Sequence, residues 1–391
     1  MFADHRRTRH RPRGDQHSPV SATSGLARPV RKSCLTQVVP TRQWSPRWLG
    51  DQGDDLRAEK RVTDELPDWQ TYSSDEWPTL LIGNGLSINL WSGFAYDSLF
   101  SEASDQGDLA GPAESIFDEL DTTNFETVLE CLHHARIVLK ALGDDVAEVE
   151  ATYGEVRDAL LSAVSAAHVD WNDFPVPTHT AIATSIAEHD NVFTTNYDLC
   201  VYWSLLQSDP SVNTKDYFWN PGHDFDPANT NATAGTTLIH YLHGALHLWQ
   251  SDSTGIDGKW TNADGGNLTR VLRNYSATSD KRPLFVSEGN SASKVRTISR
   301  SAYLSFCLDR LRDDEQNTVV FGHSLSTQDE HIIEALLDGK RKKIAVALRP
   351  SSRADAIIAT KSRIIEALPG HTILFFDSTT HPLGDRTLNI G

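Results

Sequence analysis

The sequence predicts an α/β fold in which helices flank a parallel sheet, with a helical insertion after the first strand. Short runs of β-branched and aromatic residues alternate with longer amphipathic stretches from Trp77 onward. This alternation is typical of chains that build a parallel sheet from strand-helix-strand units. The short runs are also nearly continuous in apolar residues, as expected for strands that helices cover on both faces.

Seven short apolar segments are the predicted strands, and all are expected in the parallel sheet. They are Thr79–Ile82, Asn191–Thr195, Thr237–Leu242, Pro283–Val286, Thr318–Phe321, Lys343–Leu348 and Thr372–Phe376.

Amphipathic stretches between these strands are the predicted helices. The longest, Phe117–Leu142, suits an insertion of one or two helices, and Asn124 offers a capping side chain just before Phe125. The insertion is placed at about residues 100–188. The other predicted helices are Glu150–Ala167, Thr178–Ala187, Ala302–Leu311, Gln328–Leu337 and Ser352–Leu368. Two irregular loops, 213–236 and 251–266, either gate a pocket or are ordinary surface excursions.

Charge divides the chain into two parts. Residues 1–50 hold ten Arg or Lys and two Asp, a net charge of +8. The whole chain has a formal net charge of −17, so the remaining residues carry −25. Residues 1–70 also lack apolar periodicity, so they are predicted to be a disordered basic leader, and residues 71–391 the folded domain. The leader is either a dangling tail, a start site assigned too early, a transit peptide or an arm that touches nucleic acid.

Composition excludes several classes of protein. The acidic body argues against nucleic-acid binding by the folded domain, and no apolar run approaches the ~20 residues that span a bilayer. The cysteines, Cys34, Cys131, Cys200 and Cys307, are too widely spaced for a CxxC half-site. They predict buried free thiols in a reducing compartment, hence a cytoplasmic protein without a zinc module.

The first motif, Gly-Asn-Gly-Leu-Ser from Gly83 to Ser87, follows an apolar strand. Its two glycines allow a sharp turn and a close approach of the backbone to a pyrophosphate. It is neither a P-loop nor a complete GxGxxG motif, so a tight turn without a ligand fits equally well.

A second motif, Thr195-Asn196-Tyr197-Asp198, lies at the carboxyl end of a predicted strand, where open α/β sheets bind ligands. Asn196 and Asp198 suit ribose hydroxyls or a bound water. The alternative is an Asx turn that merely ends the strand.

The third motif contains His240, His243 and His247, and Gly244 follows the second of them. A histidine before a glycine at a strand end suits an exposed base beside a substrate. The spacing also permits a metal site, although the three residues straddle a strand end and a turn and give no fixed ligand face. His240 and His247 also suit a structural role.

The fourth motif runs from Phe321 through Gly322 and Ser324 towards a helix start near Asp329. Such a turn suits phosphate or ribose, or simply caps a helix. All four motifs follow predicted strands. Because the carboxyl ends of parallel strands meet at one edge of a sheet, the four turns are expected to converge on one crevice.

In order, Gly-x-Gly-x-Ser, Thr-x-Asn-x-Asp, His-Gly and Gly-x-Ser resemble the sirtuin (SIR2) signature, most closely that of bacterial SIR2-like proteins that hydrolyse NAD in anti-phage defence. The chain also resembles a family known as DUF4917, through Leu284–Gly289 and the segment from Phe321 to Ile332. The SIR2 resemblance implies a Rossmann-like domain with His243 and Asn196 as catalytic residues. The implied NAD-binding residues are Gly83, Asn84, Gly85, Ser87, Thr195, Asp198, Gly244, Gly322 and Ser324.

Two departures from the SIR2 pattern shape the functional prediction. The four-cysteine zinc module of deacetylase sirtuins is absent, and Asn84 stands where the family usually has alanine. The first departure disfavours protein deacylation, leaving NAD hydrolysis or ADP-ribosyl transfer, with NAD as substrate and with a homo-oligomer or an activating partner expected. The alternatives are a non-catalytic NAD or ADP-ribose sensor and a metal-dependent hydrolase using His240, His243 and His247.

Overall fold

The computed structural model of the chain describes residues 62–261, 275, 279–340 and 342–391. Its helices are α1 (Gly85–Leu90), α2 (Tyr96–Gln106), α3 (Pro112–Glu119), α4 (Phe125–Leu142), α5 (Ala147–Ala166), α6 (Val176–Ile186), α7 (Cys200–Gln207), α8 (Ser291–Ile298), α9 (Ala302–Arg312), α10 (Glu330–Asp338) and α11 (Ala354–Ala367). Its strands are β1 (Thr79–Ile82), β2 (Asn191–Thr194), β3 (Thr214–Lys215), β4 (Thr237–Tyr241), β5 (Gly244–Ser251), β6 (Asp257–Lys259), β7 (Lys281–Phe285), β8 (Thr318–Phe321), β9 (Lys343–Leu348) and β10 (Thr372–Asp377).

The main sheet confirms the predicted fold class. Its seven strands are all parallel and lie in the order β10-β9-β8-β1-β2-β4-β3. From β1 the chain builds outward through β2 and β4, and then returns to the other side of β1 to build outward again through β8, β9 and β10. The strand order therefore reverses between β1 and β8, which is the topological switch point of a Rossmann-like sheet.

Helices α2 to α6 form the insertion between the first two strands, at residues 96–186. Helix α4 begins where the sequence predicts, because the Asn124 side chain accepts hydrogen bonds from the backbone amides of Glu126 and Thr127. It ends at Gly143, whose φ of 82° suits a residue without a β-carbon. The Asn124 cap at the start of α4 places Glu126 in the first helical turn.

A second sheet was not predicted. Strand β5 pairs antiparallel with β6 on one side and with β7 on the other, so the prediction that Pro283–Val286 belongs to the parallel sheet is wrong. Strand β5 begins at Gly244, two residues after β4 ends, and the chain there passes from the main sheet to the second one. Both predicted loops contain a short strand: β3 of the main sheet lies within 213–236, and β6 of the second sheet lies within 251–266.

The predicted leader lies mostly outside the described residues. The end of the predicted leader, from residue 62 onward, is described. There the Lys361 ammonium donates hydrogen bonds to the carbonyls of Thr63 and Glu65. The ring of Trp69 packs against Phe376 of β10, with centroids 4.7 Å apart. The folded part thus includes residues that the prediction assigned to the leader. No helix among the described residues is long and apolar enough to cross a membrane.

Candidate active site

A cavity of about 310 Å³ opens at the carboxyl ends of β1, β2, β4 and β8, beside the switch point. We call it the first cavity. Eight of the predicted site residues line it: Asn84, Gly85, Thr195, Asn196, Asp198, His243, Gly322 and Ser324. The four motifs therefore meet at one edge of the sheet, as their strand ends predict.

The two glycine turns contact each other at the floor of the crevice. The amide of Gly85 donates to the carbonyl of Gly322 at 2.8 Å. A β-carbon on Gly83 would lie 2.6 Å from the Gly322 carbonyl oxygen, and Gly322 itself has a φ of 70°. Gly83 lies outside the residues that line the cavity, and its function in the structure is to let the two turns approach.

Three polar side chains form a buried chain of hydrogen bonds below the cavity. The Asn196 amide donates to Ser87 Oγ at 2.8 Å, and Ser87 Oγ donates to Asp198 Oδ2 at 2.5 Å. Asp198 Oδ1 accepts from the amide of Cys200. Asn196 Oδ1 is buried without a hydrogen-bond partner among the described residues, so it is free to accept a hydrogen bond from a ligand or water.

Two predicted contacts with NAD need correction. Ser87 is fully buried beneath Asn196 and Asp198, so it positions these side chains and does not reach a pyrophosphate. Gly244 has a φ of 74° and lies against the backbone of Leu284 in β7, so it serves the pairing of the second sheet. The Asn84 amide donates to the carbonyl of Phe94 at 3.1 Å, which fixes its side chain at the rim.

His243 lies in the turn between β4 and β5 and is almost fully buried. Its Nε2 atom is 2.9 Å from Nε2 of His331 and 3.9 Å from Oδ1 of Asp329. Burial lowers the pKa of His243, and the nearby Lys294 ammonium lowers it further. The imidazole is therefore neutral at pH 7 and able to accept a proton.

The three histidines whose spacing permitted an alternative metal site do not form one cluster. His240 Nε2 forms a hydrogen bond of 2.9 Å with the hydroxyl of Tyr217, and its Nδ1 forms one with the carbonyl of Val192. His247 is stacked on Tyr202, with ring centroids 4.3 Å apart. His243 alone of the three reaches the cavity, because alternate residues of a strand point to opposite faces and the turn redirects the chain.

A cluster of charged side chains, not predicted from the sequence, lies beside His243. The Lys294 ammonium, from α8, donates to Asp329 Oδ1 at 2.7 Å and to Glu126 Oε2 at 3.2 Å. Asp329, just before α10, also lies 3.5 Å from His323 Nε2. The motifs contained only His323 and Asp329, whereas Glu126 comes from the helical insertion, 168 positions from its partner Lys294.

The three charged groups of this cluster differ in their tendency to ionise. Burial alone would lower the pKa of Lys294, but the carboxylates of Glu126 and Asp329 outweigh it and raise the pKa. Burial likewise opposes ionisation of Asp329, yet Lys294, His243 and His323 hold its pKa far below its usual range. For Glu126, burial dominates and raises the pKa despite Lys294. Asp329 thus favours its charged form, whereas burial favours the neutral form of Glu126.

A second cavity, of about 840 Å³, lies on the other side of the glycine contact, at the carboxyl ends of β8, β9 and β10. It shares Gly85, Ile88 and Gly322 with the first cavity. Arg349 and Arg386 line it, and its described lining contains no Asp or Glu. The two cavities therefore differ in charge, because the first is lined by Glu126, Asp198 and Asp329, and the second by two guanidinium groups.

A protein-family model described as "Domain of unknown function (DUF4917)" matches residues 80–383. The chain belongs to the DUF4917 family. No curated protein matches the chain. The residues matched by the DUF4917 model extend from β1 to Leu383, so they contain the whole first cavity and its charged cluster.

Proposed function

We propose that this DUF4917 protein hydrolyses NAD⁺ at the bond between nicotinamide and ribose. The observation that carries the proposal is the first cavity, which brings Asn196 and His243 together beside two contacting glycine turns at the switch point of a Rossmann-like sheet. Dinucleotides bind at this place in such sheets. The resemblance to SIR2-like NAD hydrolases assigns the same two residues to catalysis.

The distribution of charge around the switch point supports a dinucleotide. NAD⁺ has a cationic nicotinamide ring at one end and negative phosphates in the middle. The acidic first cavity suits the nicotinamide-ribose half. The second cavity, with Arg349 and Arg386, suits the adenosine half and the phosphates. Gly85 and Gly322 line both cavities, so in the proposed complex the pyrophosphate crosses over these two glycines.

In the proposed reaction the bond between ribose C1′ and nicotinamide N1 breaks, and its electron pair stays on nicotinamide. A water oxygen forms the new bond to C1′, so the products are ADP-ribose, nicotinamide and one proton. Asn196 Oδ1 accepts a hydrogen bond from the attacking water, and Ser87 and Asp198 fix the orientation of the amide. His243 takes the proton of the water, because burial keeps its imidazole neutral.

The test is nicotinamide release from NAD⁺ by the full chain and by two variants. His243→Ala should lower the rate about 10²- to 10⁴-fold, the usual contribution of a positioned base. His223→Ala, at an exposed histidine that lies outside the cavity, is the matched control and should retain the wild-type rate. A folded His243→Ala protein that releases nicotinamide at the wild-type rate would overturn the assignment.

Binding measured beside turnover separates hydrolysis from sensing. Wild-type protein that binds NAD⁺ but releases no nicotinamide would be a sensor, which was the first alternative. Protein that binds no dinucleotide would contradict both.

A second candidate function rests on a different set of metal ligands from the three histidines that the sequence left as an alternative. One nitrogen each of His243 and His331 and one oxygen of Asp329 lie within 4.8 Å of one another, and two histidines with one carboxylate bind several transition metals. The Lys294 ammonium, 2.7 Å from the same carboxylate, opposes a second cation there. Stoichiometric metal in elemental analysis of the purified protein would favour metal-dependent hydrolysis over the proposed reaction.

A further inference from the structure

The helical insertion contributes a carboxyl group to the first cavity. Glu126 lies in the first turn of α4, lines the cavity, and is fixed there by Lys294 at 3.2 Å. Its other oxygen, Oε1, has one long contact, with the hydroxyl of Tyr197 at 3.4 Å. That hydroxyl donates a shorter bond to the carbonyl of Val286. Oε1 is therefore the less engaged oxygen of the pair.

The charges around Glu126 do not balance. Two carboxylates, Glu126 and Asp329, share the single ammonium of Lys294, whose side chain is fully buried. Among the described ion pairs, Lys294 is the only lysine or arginine that contacts either carboxylate. The neighbouring phenols are uncharged, since burial raises the pKa of Tyr96 and of Tyr197.

With both carboxylates ionised, the described cluster carries one excess negative charge in a buried setting. Such a charge is costly in an empty cavity, which agrees with the raised pKa of Glu126. A positive group placed in the cavity removes the cost. Glu126 is better placed than Asp329 to contact this positive group, because Lys294, His243 and His323 already surround the two oxygens of Asp329.

We propose that Glu126 is a further catalytic residue, whose carboxylate stabilises the positive charge of the nicotinamide-ribose unit and of the ribose as the bond to nicotinamide breaks. The inference rests on the proposed function. As the electron pair leaves with nicotinamide, the positive charge passes to C1′ and the ring oxygen of the ribose. A fixed, buried carboxylate lowers the energy of that state without reorganisation. Glu126 forms no covalent bond and transfers no proton.

A comparison of two ligands tests the charge directly, without turnover. Carba-NAD⁺ keeps the cationic ring but cannot be hydrolysed, and NADH has a neutral ring. Wild-type protein should bind carba-NAD⁺ at least tenfold more tightly than NADH, since one charge at a buried site is worth about this much or more. Glu126→Gln, which keeps the shape and one oxygen able to accept from Lys294, should bind the two ligands nearly equally and hydrolyse NAD⁺ at least tenfold more slowly.

Glu288→Gln is the matched control. Glu288 is also a carboxyl with a pKa raised by burial, but it lines a separate cavity with Arg136 and Arg296. Its removal should leave the ligand preference and the rate unchanged. Circular dichroism and the unfolding midpoint establish that each variant is folded.

An unchanged preference for carba-NAD⁺ in folded Glu126→Gln would overturn the inference while leaving NAD⁺ hydrolysis intact. A wild-type protein that does not bind either ligand would overturn the proposed function, and this inference with it. A variant that fails to fold is replaced by Glu126→Asp, which keeps the charge and should retain the preference. Loss of the preference in folded Glu126→Asp would contradict the role of charge.

Discussion

The buried histidines His243 and His247 lie in two different environments. His243 contacts His331 and Asp329 at the cavity, whereas His247 is stacked on Tyr202 and neither of its ring nitrogens has a hydrogen-bond partner among the described residues. Both were candidates for one metal site on spacing alone. Sequence spacing could not separate them, because the turn between β4 and β5 decides which imidazole faces the cavity.

His247 is predicted to make the protein sensitive to acid. Burial, together with Lys259, lowers its pKa to about 3, against about 6.5 in an unfolded chain. Between these pH values the unfolded chain binds a proton that the folded chain excludes, so stability is full above pH 6.5 and falls as the pH falls. His247→Phe, which keeps the ring stack on Tyr202, should reduce the loss of unfolding free energy between pH 7 and pH 4.5 by about 1–3 kcal/mol.

Urea denaturation at the two pH values measures this difference, and it cancels any packing cost that is independent of pH. His134→Phe, at an exposed histidine of α4, is the control and should leave the pH dependence as in wild type. The same loss in His247→Phe as in wild type would show that His247 titrates normally in the folded chain.

Residues at the site differ in how far the sequence alone predicts them. Asn196, His243 and the glycines follow predicted strands, so the topology of a parallel sheet brings them together. Glu126 and Lys294 follow no strand and belong to no motif. Their contact depends on how the inserted helix α4 docks beside α8, and periodicity within either segment contains no information about that arrangement.

The contact between the two glycine turns sets the distance between the ends of β1 and β8 at the crevice. A β-carbon on Gly322 would lie 2.7 Å from the amide nitrogen of Leu86 and 2.9 Å from the carbonyl oxygen of Gly83. Both neighbours are backbone atoms and cannot rotate away. We therefore expect Gly322→Ala to cost about 2–4 kcal/mol of unfolding free energy, from the left-handed φ together with overpacking.

Gly107→Ala is a control with nearly the same backbone conformation. Gly107 has a φ of 74°, but no atom lies within 4 Å of a β-carbon added there, so only the conformational cost of about 1–2 kcal/mol remains. Denaturant titration of the two variants measures the difference. Equal losses would mean that the turns can separate without cost and that their contact does not hold the crevice.

Six of the seven strands of the main sheet, all except β3, were predicted from the sequence, whereas β5 and β6 of the second sheet were not. The predicted bounds of β1, β8 and β9 coincide with the structure, because a short apolar run between polar turns is a clear signal. Strand β5 was taken for a turn, since the His-Gly pair at its start suggested the end of a strand. An apolar run also does not distinguish a parallel partner from an antiparallel one, and β7 was therefore assigned to the wrong sheet.

We propose that one dinucleotide spans both cavities of the molecule, with one half on each side of the switch point. The acidic first cavity, the glycine turns and the basic second cavity follow one another along the carboxyl edge of the sheet. Helix α4 of the insertion reaches this edge through the contact of Glu126 with Lys294 of α8, which links the insertion to the site and not only to the core.

The crystal structure of the protein with carba-NAD⁺ tests this claim most directly. We expect the nicotinamide-ribose unit between Asn196 and His243 with Glu126 beside the ring, the pyrophosphate over Gly85 and Gly322, and the adenosine half in the second cavity. A dinucleotide bound elsewhere, or electron density confined to the second cavity with the Asn196–His243 pocket filled only by solvent, would contradict it.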